Sequence, residues 1–151
     1  MAPKVLALDL ERTLIDDALR CRPRPGLHAF LAFCDERFER VAIFTTVEEA
    51  EAREVIEGLA LRDYLSSRLL ARLEHVDWCG EYKDLRFEPN ATLDDVVLVD
   101  DDAGWIRPDQ RDRWVPIEAW DGGHDDELSR VRSVLEGLLQ GRALRDGGPS
   151  G

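Results

Sequence analysis

Asp9 and Glu11 stand two residues apart where an apolar run, Val5 to Leu10, turns acidic. A second apolar run, Val41 to Phe44, stops at Thr45 and Thr46, and a third, Asp95 to Val99, runs into Asp100, Asp101 and Asp102. A carboxylate can attack phosphorus and divide a slow hydrolysis into two faster steps. A second acid close by can protonate the leaving oxygen and later take a proton from water. Carboxylates delivered by separate strand ends can hold Mg²⁺, a hard ion that prefers oxygen ligands. Hydroxyl and ammonium groups complete a phosphate cradle. Of the 20 basic residues only Lys4 and Lys83 are lysines. Lysine supplies a compact point charge where arginine supplies a planar fork, so Lys4 and Lys83 are the positions to watch for such a charge.

Such residues need elements that bring them to one place. Val5 to Leu10 reads as a fully buried strand, as do Val41 to Phe44, Asp95 to Val99 and Trp114 to Ile117. Pro25 and Gly26 open a helix with Leu27, Phe30, Leu31, Cys34 and Phe38 at helical spacing, and Glu48 to Leu61 forms a second. Between Tyr64 and Glu81, Leu69 to Leu73 reads as helical and His75 to Trp78 as extended. Asp125 to Leu139 closes the domain as a helix, with Leu128, Val131, Leu135 and Leu138 on one face. Arg12 to Pro25 reads as an exposed excursion. Strands alternating with helices predict an α/β fold with a central parallel sheet, whose site lies beyond the carboxyl ends of the strands. Residues 1–140 make one domain in this reading, and 141–151 a disordered tail.

A formal charge of −12 and a pI near 4.6 exclude broad nucleic-acid binding and attraction to anionic membranes, both of which need a basic surface. Three cysteines without a close pair make no disulfide framework and suit a reducing cytoplasm. No stretch is apolar enough to span a bilayer. His75 and Cys79 lack partners at ligand spacing, so no zinc site is expected.

The ordered set LDLERTL (8–14), IFTT (43–46), YKDL (82–85) and VVLVDD (96–101) resembles the four motifs of the haloacid-dehalogenase-like (HAD) phosphatases. RPGLHAFLAF (24–33), VPIEAW (115–120) and DDEL (125–128) are similar to the subfamily of small C-terminal-domain phosphatases and NLI-interacting-factor-like proteins. The resemblance covers roughly residues 4 to 139. It implies a three-layer Rossmann-like fold, a Mg²⁺ cofactor and an aspartyl-phosphate intermediate on Asp9. By the same resemblance, Glu11 is the general acid/base, with its carbonyl facing the metal, and Thr13 supports the loop. Thr45 and Thr46 bind the substrate phosphate, Lys83 neutralises phosphate and Asp9, and Asp100 and Asp101 complete the metal site. Glu11 departs from the usual aspartate, which lengthens the acid by a methylene and leaves room for a phosphatase-fold binding module with weak turnover.

Neither the gap from Asp9 to Thr45 nor that from Thr45 to Lys83 holds a large cap domain. The expected substrate is therefore an accessible phosphate, such as a phosphopeptide or phosphoprotein. A small-metabolite phosphatase is the alternative, with a second subunit covering the site.

Overall fold

The computed structural model describes residues 2–144. Among them, five strands form one parallel sheet: β1 (Val5–Leu8), β2 (Arg40–Ile43), β3 (Glu74–His75), β4 (Val96–Asp100) and β5 (Trp114–Pro116), in the order β3-β2-β1-β4-β5. The helices are α1 (Leu27–Arg37), α2 (Glu49–Leu61), α3 (Ser67–Arg72) and α4 (Glu127–Leu139). This is the α/β fold with a central parallel sheet expected from the alternation of elements.

Side chains alternate between the two faces of a strand, and the core divides accordingly. Leu6, Leu8, Val41, Ile43, Val97 and Val99 pack beneath all four helices. Val5, Ala7, Val96 and Leu98 face Phe44, Leu85 and Ile106, a layer made of 3₁₀ turns at Leu85–Phe87, Ala103–Trp105 and Pro108–Arg113 together with their loops. Right-handed crossovers account for the division, because reversing direction across the sheet moves the connection to the opposite face. The helix α4 returns to the first face and packs on α1. Its Leu128, Val131, Leu135 and Leu138 are buried, each contributing about 1.5–3 kcal/mol by leaving water.

Register places the site. Leu8 pairs with Ile43 on one side and Val99 on the other. The next residues, Asp9, Phe44 and Asp100, therefore stand level with one another at the carboxyl ends of β1, β2 and β4. Asp9 N–H still donates to the Val99 carbonyl at 2.9 Å, and Phe44 N–H to that of Leu8 at 2.8 Å.

The expectation of an exposed excursion over residues 12–25 is overturned at both flanks. Thr13, Leu14, Ile15, Asp16 and Arg24 are buried. The amides of Leu14 and Ile15 turn back onto the Leu10 carbonyl, and Ile15 bridges both Glu11 and Pro23. Asp16 accepts from the amides of Asp17 and Arg22 and from the Arg22 guanidinium, which closes the loop. Its tip, at Leu19 and Arg20, faces solvent, as do the side chains of Arg12 and Arg22. Extended structure at His75 to Trp78 contracts to Glu74–His75, because Trp78 leaves the edge to donate its indole N–H to the Thr45 carbonyl. Of the expected tail, residues 145–151 lie outside the described residues.

At the opposite end of the sheet, Arg40 holds two acids at once, Glu74 and Glu88. Burial, reinforced by Glu74 beside it, lifts the Glu88 carboxyl from 4.5 to about 8. The folded protein keeps this proton up to about 8, whereas the unfolded chain releases it near 4.5. Stability attributable to Glu88 therefore falls as pH rises through that window and stays low above it. Glu88→Gln is expected to remove this decline, so that the variant gains on wild type steadily across the window in urea titrations. A constant difference at all pH values would refute the assignment.

Candidate active site

Asp9 is the first residue beyond β1, and 6% of it is exposed. The Thr13 hydroxyl donates to its Oδ2 at 2.9 Å, and the Lys83 ammonium to its Oδ1 at 2.9 Å. Lys83 also donates to Asp100 Oδ2 at 2.5 Å. Its backbone is fixed by an N–H bond to the Trp105 carbonyl at 2.8 Å. Thus a cation from the 76–84 connection is buried between the ends of two adjacent strands.

The electrostatics follow from this burial. Removal from water raises Asp9 from 3.8 to about 6, with the Lys83 charge opposing the rise. Burial and the charge of Asp9 raise Asp100 to about 6, again against Lys83. Asp101 is also raised, first by burial. Burial works against the Lys83 ammonium, yet Asp9 and Asp100 together outweigh it and the net shift is upward.

Asp9, Asp100 and Asp101 each present a carboxylate oxygen, all within 4.8 Å of one another, and could hold a metal ion. Among the described residues no other trio of acids, histidines or cysteines does so. The donors are oxygen only. Three carboxylates facing one ammonium leave two negative charges, the complement of a hard divalent cation. The residues present fit such an ion.

The remaining predicted residues lie at the rim. Glu11 is half-buried, and its carboxylate turns to the 16–22 loop, accepting from the Ala18 amide at 2.7 Å. It is not part of the acidic trio. Thr45 is half-buried and Thr46 exposed. The Thr45 hydroxyl accepts from the Val47 amide at 3.1 Å. Both line a cleft of about 240 Å³ with Glu48, His75, Asp77 and Trp78. An edge-to-face row, Phe44–Trp78–Trp105, walls this side at centroid separations of 5.5 and 5.8 Å.

Sequence reasoning overlooked Arg24 and Asp125, which support the loop bearing Thr13 and are taken up below. Arg24 stands in the RPGLHAFLAF motif and Asp125 in DDEL, but neither motif encodes a contact between residues 101 apart in the chain.

Removing Lys83 leaves its carboxylates buried without a counter-charge. Lys83→Met should therefore cost about 3–5 kcal/mol of stability in the metal-free protein. The loss should shrink at acid pH, where Asp9 and Asp100 take up protons, and denaturant titrations at two pH values with chelator present read both effects. A variant as stable as wild type at neutral pH would contradict the buried ion pairs.

No curated protein matches the chain. The family model described as NLI interacting factor-like phosphatase matches residues 4–145, nearly the whole chain and every residue of the site just described. The chain belongs to the NLI interacting factor-like phosphatase family, and the protein is a phosphatase that acts on a phosphorylated substrate.

Proposed function

We propose that the protein is a Mg²⁺-dependent phosphomonoesterase in which Asp9 is the nucleophile. The observation that carries this reading is the setting of Asp9, held by Thr13 on one oxygen and Lys83 on the other, beside Asp100 and Asp101. Two directed donors fix the plane of the carboxylate before substrate arrives, which lowers the reorganisation needed for attack.

In the first step an Asp9 oxygen bonds to phosphorus as the ester P–O bond breaks. Glu11, protonated, gives its proton to the departing oxygen. In the second, Glu11 as carboxylate takes a proton from water, the water oxygen bonds to phosphorus, and the Asp9 acyl-phosphate bond breaks to release inorganic phosphate. Lys83 opposes negative charge at Asp9 and on the phosphoryl group throughout. Thr45 and Thr46, at the end of β2, bind phosphoryl oxygens. Asp9, Asp100 and Asp101, together with the Glu11 carbonyl, would hold a divalent cation, which would supply further charge neutralisation at those oxygens.

The substrate class follows from the surroundings. Only α2, α3 and the short β3 lie between Thr45 and Lys83, so no capping domain encloses the site. A phosphate on a flexible peptide or protein segment can enter where a small metabolite would lack a second wall. Three free cysteines favour a reducing cytoplasmic setting, and the acidic chain favours a substrate that is not a nucleic acid.

Hydrolysis of an aryl phosphate should require Mg²⁺, stop with EDTA and fall to background in Asp9→Asn. Hydroxylamine should trap an acyl phosphate from wild type. Turnover that survives Asp9→Asn would remove Asp9 from the mechanism. A phosphopeptide should exceed small phosphorylated metabolites in kcat/KM, and the reverse order would overturn the substrate class.

Glu11 makes a separate expectation. A general acid matters most when the leaving oxygen is strongly basic, with typical contributions of about 10²–10⁴-fold. Glu11→Gln should therefore lower kcat/KM, which reports the first step alone, far more for an alkyl phosphate such as phosphoserine than for an aryl phosphate. Equal losses on both would exclude proton donation by Glu11.

A further inference from the structure

Three motif segments take no part in the chemistry above: the Arg24-Pro25-Gly26 turn, Val115 to Trp120, and Asp125 to Leu128. They meet at one side chain. The Arg24 side chain has no solvent exposure. Its Nε donates to Asp125 Oδ1 at 2.8 Å and its Nη2 to Asp125 Oδ2 at 2.9 Å. Nη2 also donates to the Glu118 carbonyl at 2.7 Å, and Nη1 to the carbonyls of Arg12 and Thr13 at 3.1 and 3.2 Å. A guanidinium has five N–H donors, and each has a partner here.

What this fork grips is the turn that carries Thr13. Arg12 has φ 63°, a left-handed conformation that costs a non-glycine residue and persists only where neighbours enforce it. The Arg12 carbonyl is held twice, by Arg24 and by the Trp120 amide at 2.9 Å. The next residue, Thr13, points its hydroxyl at Asp9 Oδ2. Asp125 in turn orients the fork, and the Glu127 amide at the start of α4 orients Asp125 through its Oδ1 at 3.0 Å. A continuous path runs from α4 through Asp125, Arg24 and the Arg12–Thr13 backbone to the carboxylate of Asp9.

We propose that Arg24, locked by Asp125, is a positioning residue for the nucleophile: it holds the Arg12–Thr13 turn so that Thr13 aims Asp9 at phosphorus. This rests on the nucleophile reading of Asp9 given above. A buried ion pair is a poor device for stability alone, since a well-packed apolar replacement is often as good. Its value here is directional, because five fixed donors determine where two carbonyls sit.

Arg72 provides the internal control. It also binds a carboxylate, Asp35, at 2.7 Å, and gathers the carbonyls of Asp35, Phe38 and Glu39. It does so where α1 ends and β2 begins, at the end of the sheet away from the site. Arg24→Met and Arg72→Met thus delete the same kind of contact, and only the first touches the turn.

The experiment measures kcat and KM with an aryl phosphate and Mg²⁺, well below each variant's melting temperature. Arg24→Met should lower kcat about 100-fold, the loss typical of a nucleophile displaced by about 1 Å, with KM changed far less. Asp125→Asn should show a smaller loss in kcat, because its amide can accept only one of the two N–H bonds. Arg72→Met should keep the wild-type kcat even where its melting temperature falls as far. Equal kcat losses in Arg24→Met and Arg72→Met, or an unchanged kcat in Arg24→Met, would overturn the proposal. If Arg24→Met does not fold, Asp125→Asn carries the same comparison. Wild type without turnover would fail the nucleophile reading separately, and hydrogen exchange over residues 10–15 then reads the clamp itself. Faster exchange there in Asp125→Asn, with Arg72→Met unchanged, supports the clamp, and no difference refutes it.

Discussion

A single buried ammonium determines how this molecule can be built. Lys83 is 2% exposed and contacts Asp9 and Asp100, which leave adjacent strands of the sheet. Burial disfavours the ionised form of both carboxylates, with Asp9 adding to the rise at Asp100, and the cation is what opposes this. The ammonium in turn could not be buried without them. The three groups stabilise one another only if β1, β4 and the 76–84 connection arrive in fixed register. The apolar sheet supplies that register, and the 3₁₀ turn at Ala103–Trp105 supplies the carbonyl that anchors the Lys83 backbone.

The same arrangement explains why chemistry sits at this edge and no other. At the carboxyl ends of β1, β2 and β4, the chain leaves the sheet with polar residues that need partners. At the amino ends, Arg40 gathers Glu74 and Glu88 and uses itself up on backbone carbonyls as well. That second acidic group is neutralised by one proton and one fixed guanidinium, leaving no charge surplus for a ligand. Beside Lys83, by contrast, Asp101 remains as an extra carboxylate that no ammonium offsets. The difference between a structural cluster and a candidate active site is this residual charge.

Much of this was legible in the sequence because burial on both faces leaves a plain trace. The runs VLAL, VAIF and VVLV are nearly uninterrupted apolar residues, each ending in polar ones, and parallel topology then sets those ends side by side. Asp9 and Asp100 could be brought together on that basis, whereas Lys83, in a connection between elements, was marked only by the resemblance that YKDL carries. The 12–25 segment could not. Its composition is that of a surface loop, with arginines and acids outnumbering apolar residues. Its burial depends on Asp16 and Arg24 satisfying one another's neighbours across distances that no local periodicity encodes. The direction of the Glu11 carboxylate was equally invisible, since it is set by the Ala18 amide seven residues on.

These two illegible features bear on the same atoms. The turn between Glu11 and Arg24 carries Thr13 on one side, facing Asp9, and Ala18 on the other, facing Glu11. Asp9 and Glu11, the proposed nucleophile and proton donor, are thus both held through one short segment, anchored at its far end by Arg24 and Asp125. Leu19 stands at its exposed tip, next to the residue that holds Glu11. The energetic logic is consistent with its sequence. A strained Arg12 and a buried arginine are poor choices for stability alone, and they are retained where a fixed backbone is worth more than a relaxed one.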